Sequence, residues 1–107
     1  MKKDKDRFAP YPPMGWNSWD CYMSAVTEAE LLENARYQAE HLLPCGWEYV
    51  TCDIQWYEPT AGTRPGCEYI PFAPLCMDGY GRLIPAENRF PSSAGGKGFA
   101  PRSEERR

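Results

Sequence analysis

Two clusters hold the residue types best suited to chemistry. Trp16-Asn17-Ser18-Trp19-Asp20 and Asp53-Ile54-Gln55-Trp56-Tyr57-Glu58 each set indoles beside carboxylates and amides. An indole covers the apolar C–H face of a pyranose, while carboxylates and amides bond its hydroxyls. Sugar binding is the chemistry this combination suits. On pattern alone Trp16 and Trp56 serve equally well as core. Asp20 and Asp53 have the makings of a paired acid and nucleophile, which retaining glycosidases set about 5–5.5 Å apart. Two unrelated carboxylates at adjacent strand ends are the commoner arrangement, and that reading comes first. His41 falls inside a helical stretch and reads as a surface or packing residue ahead of a catalytic one. Gly95-Gly96-Lys97-Gly98 lacks the spacing and the preceding strand of a phosphate loop. Tyr22, Met23 and Tyr69 read as packing residues.

The elements that must position these clusters follow from periodicity. Met14 to Asp20 starts apolar and ends polar, as a short strand running into a loop does. Thr27 and Glu30 have the spacing of a capping box, with hydroxyl and carboxylate each satisfying an orphan amide. Leu31, Leu32, Ala35, Ala39, Leu42 and Leu43 then recur at helical spacing, which predicts one buried face. Pro44 and Gly46 end that helix. Trp47 to Ile54 is rich in aromatic and β-branched residues, the composition of a strand buried on both faces. Strand, helix and strand joined by short links make a βαβ unit, hence a parallel pair with a right-handed crossover. Ligands of such sheets bind at the carboxyl ends of the strands, where both clusters fall. From Tyr57 to Gly98 no helix is legible. Asp78-Gly79-Tyr80-Gly81 reads as a hairpin turn there, and residues 92–98 as a flexible stretch.

Composition sets the limits. The chain has 107 residues, near one ordinary domain and far short of the roughly 250 of a complete (β/α)₈ barrel. Twelve basic residues against fifteen acidic give a net charge of −3, and the basic clusters, Lys2, Lys3, Lys5 and Arg7, then Arg102, Arg106 and Arg107, sit at the two ends. No basic patch invites nucleic acid or an anionic membrane. No apolar run is long enough to span a bilayer. The charged start, Met1 to Asp6, is followed by no apolar run, so a secretory signal is not expected and a cytoplasmic setting is. The five cysteines are irregularly spaced without a CxxC, which reads as free thiols and no metal site, with a Cys67–Cys76 bridge as the alternative. No cofactor is implied.

Several ordered motifs resemble one family. Pro13-Met14-Gly15-Trp16-Asn17-Ser18-Trp19-Asp20 is similar to the opening motif of the family 27 glycoside hydrolases, the α-galactosidases and their relatives. Leu43-Pro44-Cys45-Gly46-Trp47-Glu48-Tyr49, Asp53-Ile54-Gln55-Trp56, Gly81-Arg82-Leu83-Ile84-Pro85 and Asn88-Arg89-Phe90-Pro91 resemble it in turn, so the match runs from about Pro12 to Pro101. The resemblance implies an α/β fold: the N-terminal strand-helix-strand portion of a (β/α)₈ barrel, incomplete, with a long loop after the second strand. It implies a retaining hydrolase of terminal α-galactose, with an α-galactoside as small-molecule partner. It places Trp16 on the sugar pocket, Asp53 on sugar hydroxyls and Trp56 as a wall. The family's second aspartate is Ile54 here, which cannot accept a hydroxyl's hydrogen bond, so a related glycoside becomes an option. The nucleophile and the acid/base are implied on later strands beyond Arg107, so the chain by itself is expected to lack turnover. A non-catalytic sugar-binding remnant is the alternative. The expected organisation is a disordered 1–9, a partial barrel over 10–101, and a charged tail over 102–107 that departs from the family as an interrupted reading frame would.

Overall fold

The structure, a computed structural model, describes residues 7–63 and 68–99. The expectations for residues 1–6 and 102–107, and for the Cys67 half of a bridge, lie outside these residues. Cys76 carries a free thiol.

Strand β1 (Gly15–Asn17) leads into the one-turn helix α1 (Trp19–Tyr22) and a 3₁₀ turn (Met23–Ala25). Helix α2 (Glu28–His41), a second 3₁₀ turn (Leu43–Cys45), and strand β2 (Tyr49–Thr51) follow. β1 and β2 pair in parallel, with Gly15 opposite Tyr49, Trp16 opposite Val50 and Asn17 opposite Thr51. The strand-helix-strand order read from the sequence is therefore present, as an open two-stranded sheet. Gly15 is required by the pairing itself. A Cβ there would lie 2.3 Å from the Tyr49 carbonyl oxygen. Residues 19–22 are helical rather than loop.

The cap of α2 forms in a modified way. Thr27 Oγ1 accepts from the Glu30 amide at a long 3.5 Å and donates to Glu30 Oε1 at 2.7 Å, so the carboxylate takes the hydroxyl proton rather than a backbone amide. The Arg89 carbonyl instead accepts from the Glu28 amide at 2.9 Å. At the other end, α2 stops at His41 and the 3₁₀ turn closes on Gly46, whose φ of 94° suits glycine.

Two expectations about burial are corrected. The fully buried residue of α2 is Gln38, not one of its leucines or alanines. Its Nε2 donates to the Tyr49 carbonyl at 2.8 Å and ties the helix to β2. Leu31, Leu32, Ala35 and Leu42 are half-buried, and Ala39 and Leu43 are exposed. β2 is not buried on both faces: Tyr49 is 54% and Val50 38% exposed, because no further strand or helix covers it among the described residues. Tyr69, read as packing, is also exposed.

The apolar core sits beyond the strands. Val26, Ala61, Ile70, Ala86 and Phe90 are its buried members, all on loops that follow β1 or β2. The hairpin turn forms as read. Met77 bridges Leu83 in antiparallel fashion, and Asp78 Oδ1 accepts from the Tyr80 and Arg82 amides at 2.9 and 3.0 Å. No helix of the described residues is long and apolar enough to cross a membrane.

Candidate functional site

The carboxyl ends of β1 and β2 are joined through Ser18, which is fully buried. Its amide donates to the Thr51 carbonyl at 3.1 Å, extending the strand ladder by one step. Its Oγ accepts from the Asp53 amide at 2.9 Å. The two clusters read from the sequence are thus brought to one mouth by a residue the sequence reading passed over. A buried serine between two tryptophans has no signature distinct from that of a surface one.

Around that join the polar groups are arranged by local geometry. Asn17 Oδ1 accepts from the Trp19 amide at 2.8 Å and so sets Trp19 at the start of α1. Asp53 is half-buried, and its Oδ1 accepts from the Ile54 amide at 2.7 Å. A carboxylate offers about four acceptor positions, so one such bond leaves capacity for a ligand hydroxyl. Ile54 is 42% exposed and presents only carbon beside that carboxylate.

The tryptophans divide. Trp16 is half-buried, with its ring edge-on to Tyr22 at 6.2 Å, and the Tyr22 hydroxyl accepts from Asn34 Nδ2 at 3.2 Å. Trp56 joins an aromatic cluster, edge-on to Tyr57 at 5.3 Å and to Phe99 at 5.7 Å, with Phe90 meeting Phe99 at 5.2 Å. Trp56, Phe90 and Phe99 line a groove of about 660 Å³ between α2 and β2, together with Leu31, Leu32, Val50 and Cys52. Neither Trp16 nor Asp53 lines it, so this groove is separate from the mouth that holds the polar cluster. Burial pushes the Cys52 thiol up to about 11 and leaves it a poor nucleophile in that groove.

Beneath the mouth lies a buried polar layer of Ser24, Gln55, Glu58, Arg89 and Ser93. Gln55 adopts φ 64°, a left-handed conformation unusual outside glycine. Its side chain exchanges two hydrogen bonds with the Ile70 backbone, donating from Nε2 at 2.7 Å and accepting at Oε1 at 2.8 Å. Glu58 Oε1 accepts from Thr60 Oγ1 at 2.8 Å. Desolvation pulls the Arg89 guanidinium below its ordinary value, opposed by the charges of Cys52, Glu58 and Glu30.

Other candidates resolve simply. Asp20 is exposed in the first turn of α1, and no hydrogen bond links it to Asp53 among the described residues. His41 is exposed at the end of α2 with its ring against Tyr37 at 4.5 Å, the surface role expected of it. No group of three or more metal-ligating side chains occurs among the described residues.

No family model matches the chain. Solved structures and curated relatives do match. A β-L-arabinopyranosidase of Geobacillus stearothermophilus, a family 27 glycoside hydrolase, superposes with a TM-score of 0.86 at 56% identity, over 97% of this chain and 23% of its own. A variant of that protein in complex with arabinose superposes at 0.84 with 58% identity, over 92% of this chain and 22% of its own. A Bacillus halodurans C-125 protein, provisionally named an α-N-acetylgalactosaminidase, gives 0.75 at 63% identity over 87% of this chain and 21% of its own. An α-galactosidase of Coffea arabica is 30% identical over 82 residues, 76% of this chain and 18% of that enzyme. The chain spans about a fifth of the length of these relatives.

Proposed function

Over the stretch it covers, the chain is a piece of family 27 glycoside hydrolase sequence, and from that premise we propose that it forms one wall of the sugar mouth of a (β/α)₈-barrel retaining glycosidase. In this reading β1, α2 and β2 open the barrel. Trp16 and Trp19 flank the buried Ser18 and supply apolar surface for a pyranose face. Asp53 accepts hydrogen bonds from sugar hydroxyls, and Trp56 fixes the loop behind it. The nucleophile and the acid/base of such a barrel are not among the residues of this stretch, so turnover is not expected of it alone, and a non-catalytic sugar-binding remnant is the alternative.

The observation that carries the substrate is Ile54. It is exposed beside Asp53 and offers methyl groups in place of a second carboxylate. Such a wall suits a sugar with the ring configuration of an α-galactoside and one fewer hydroxyl-bearing arm. A β-L-arabinopyranoside has that form, since it shares galactose's ring hydroxyls and lacks the hydroxymethyl group. The identity of 56–58% to the Geobacillus arabinopyranosidase supports this preference. An α-D-galactoside is the second reading, favoured by the coffee α-galactosidase.

A chimaera tests both. Residues 12–99 replace the matching stretch of the Geobacillus protein, and kcat/KM is measured on 4-nitrophenyl β-L-arabinopyranoside and α-D-galactopyranoside. The expected result is preference for the arabinoside. Ile54→Asp should then move the ratio of the two by about 10–100-fold toward the galactoside, the worth of one hydrogen bond to a charged group. A galactoside preference with Ile54 in place would support the second reading. A folded chimaera that turns over neither glycoside would overturn both.

A further inference from the structure

The Asn88-Arg89-Phe90-Pro91 motif lies outside both tryptophan clusters, yet it reaches the loops of both. Arg89 is 7% exposed. Its Nη1 donates to the carbonyls of Gln55 at 2.6 Å and Glu58 at 3.0 Å. Its Nη2 donates to the carbonyls of Ser24 at 2.5 Å and Val26 at 2.8 Å. One pair of acceptors belongs to the loop after β1 and α1, the other to the loop after β2. Among the described residues no carboxylate stands within ion-pair distance of the guanidinium. Four carbonyl dipoles therefore meet its charge, and every Nη–H is used while Nε is left without a partner.

The clamp closes on the strained step of the site. Gln55, at φ 64°, follows Asp53 and Ile54 directly, and its left-handed turn sets the direction in which that pair leaves β2. Such a conformation persists only where its surroundings over-determine it. Here the Gln55 side chain is pinned by Ile70, its carbonyl by Arg89, and the next carbonyl, of Trp56, by the Ala86 amide at 3.0 Å. Only a planar fork with donors on both nitrogens spans four carbonyls on two loops. A lysine ammonium has three donors at one point and cannot.

We propose that Arg89 is a positioning residue of the sugar mouth: it bridges the post-β1 and post-β2 loops and holds the Gln55 turn that aims Asp53 and Ile54. This rests on reading Asp53 and Ile54 as sugar-facing, and the test separates the two claims. The full chain is labelled with ¹⁵N. In the unmodified protein the Asp53 and Ile54 amides are expected as single sharp signals, with slowly exchanging Arg89 Nη protons. In Arg89→Lys, the Asp53, Ile54 and Gln55 amides should broaden or double and exchange at least tenfold faster, while those of α2 hold. Affinity for L-arabinose, followed by tryptophan fluorescence, should fall at least tenfold.

Freely exchanging Arg89 Nη protons in the unmodified protein would overturn the proposal. So would an Arg89→Lys protein whose Asp53 and Ile54 amides are unmoved. Equal loosening of α2 and the mouth, or failure of that variant to fold, would also count against it, since Arg89 would then be a structural brace only. If the unmodified chain bound neither L-arabinose nor D-galactose, the sugar reading would fail while the amide signals still decided the role of Arg89.

Discussion

Beyond the carboxyl ends of β1 and β2, a polar set of Ser18, Ser24, Gln55, Glu58 and Arg89 is buried together with the small apolar core. Along the flank of the same strands, facing α2, Leu31, Leu32 and Ala35 are half-buried and Val50 is 38% exposed. The first region satisfies most of its buried donors and acceptors within the chain, with Glu58 Oε2 and Arg89 Nε as the exceptions. The second holds apolar surface that water still reaches, at a cost of about 25 cal/mol for each Å² left uncovered. Hydrogen-bonded layers can be completed by short loops close at hand. An apolar flank needs a second layer of helix or sheet against it.

Four measurements put that contrast to the test. The largest effect is expected at the mouth. Arg89→Met removes four hydrogen bonds between a charged donor and buried carbonyls, of which those of Gln55 and Glu58 keep only a backbone amide, and should cost at least about 3 kcal/mol, read from the urea midpoint. A loss smaller than that of any flank substitution would invalidate the contrast. Gly15→Ala comes next, since its Cβ would press into the Tyr49 carbonyl at 2.3 Å and force the strands apart. About 1–3 kcal/mol is expected by the same measurement.

The flank should respond less. A fully buried leucine truncated to alanine costs about 2–5 kcal/mol, whereas half-buried Leu32 should lose less than about 1.5 kcal/mol as Leu32→Ala. A larger loss would show that the groove is closed in solution. The smallest effect belongs to the exposed hairpin. Hydrogen bonds from the Arg82 amide, then the Arg82 side chain and the Tyr80 amide, hold the Asp78 carboxyl below its ordinary value. A carboxyl lowered on folding stabilises the turn above its ordinary pKa, and that stability is lost as pH falls through the folded value. The Arg82 amide shift should therefore stay flat down to about pH 4 and move only below it. Movement at higher pH would rule out the turn's bonds to Asp78.

What could be read from the sequence follows the same division. The order of β1, α2 and β2 was legible because apolar spacing records which period a segment keeps, and the Asp78 turn because its residues declare it. Burial along α2 was not. The leucine stripe expects a cover that the described residues do not supply, so Gln38, bonded to the Tyr49 carbonyl, ends up the most enclosed. In the candidate site, Asp53 and the tryptophans could be listed by type, and the motifs could be matched to a family. The Arg89 clamp could not be seen at all. Its four partners are backbone carbonyls, which every residue carries, so nothing in the letters marks Ser24, Val26, Gln55 or Glu58 as acceptors. The left-handed turn at Gln55 is equally silent, since it occurs at a residue other than glycine.

The reach of that guanidinium also dictates an order of assembly. Its bonds join residues 34 and 31 positions away on one loop, and 65 and 63 positions away on the other. Helix α2, whose own backbone ladder is local, forms early in such a chain, while contacts of high sequence separation, its Glu28 bonds to residues 89 and 92 among them, wait for the loops between them to close. A ribosome must have released residue 89 before the mouth can shut. Until then the strands are paired, if at all, without the side chain that bonds four carbonyls of their loops, and a nascent chain stalled short of that point holds Asp53 and Ile54 through other links, those of Ser18 and Ser24 among them.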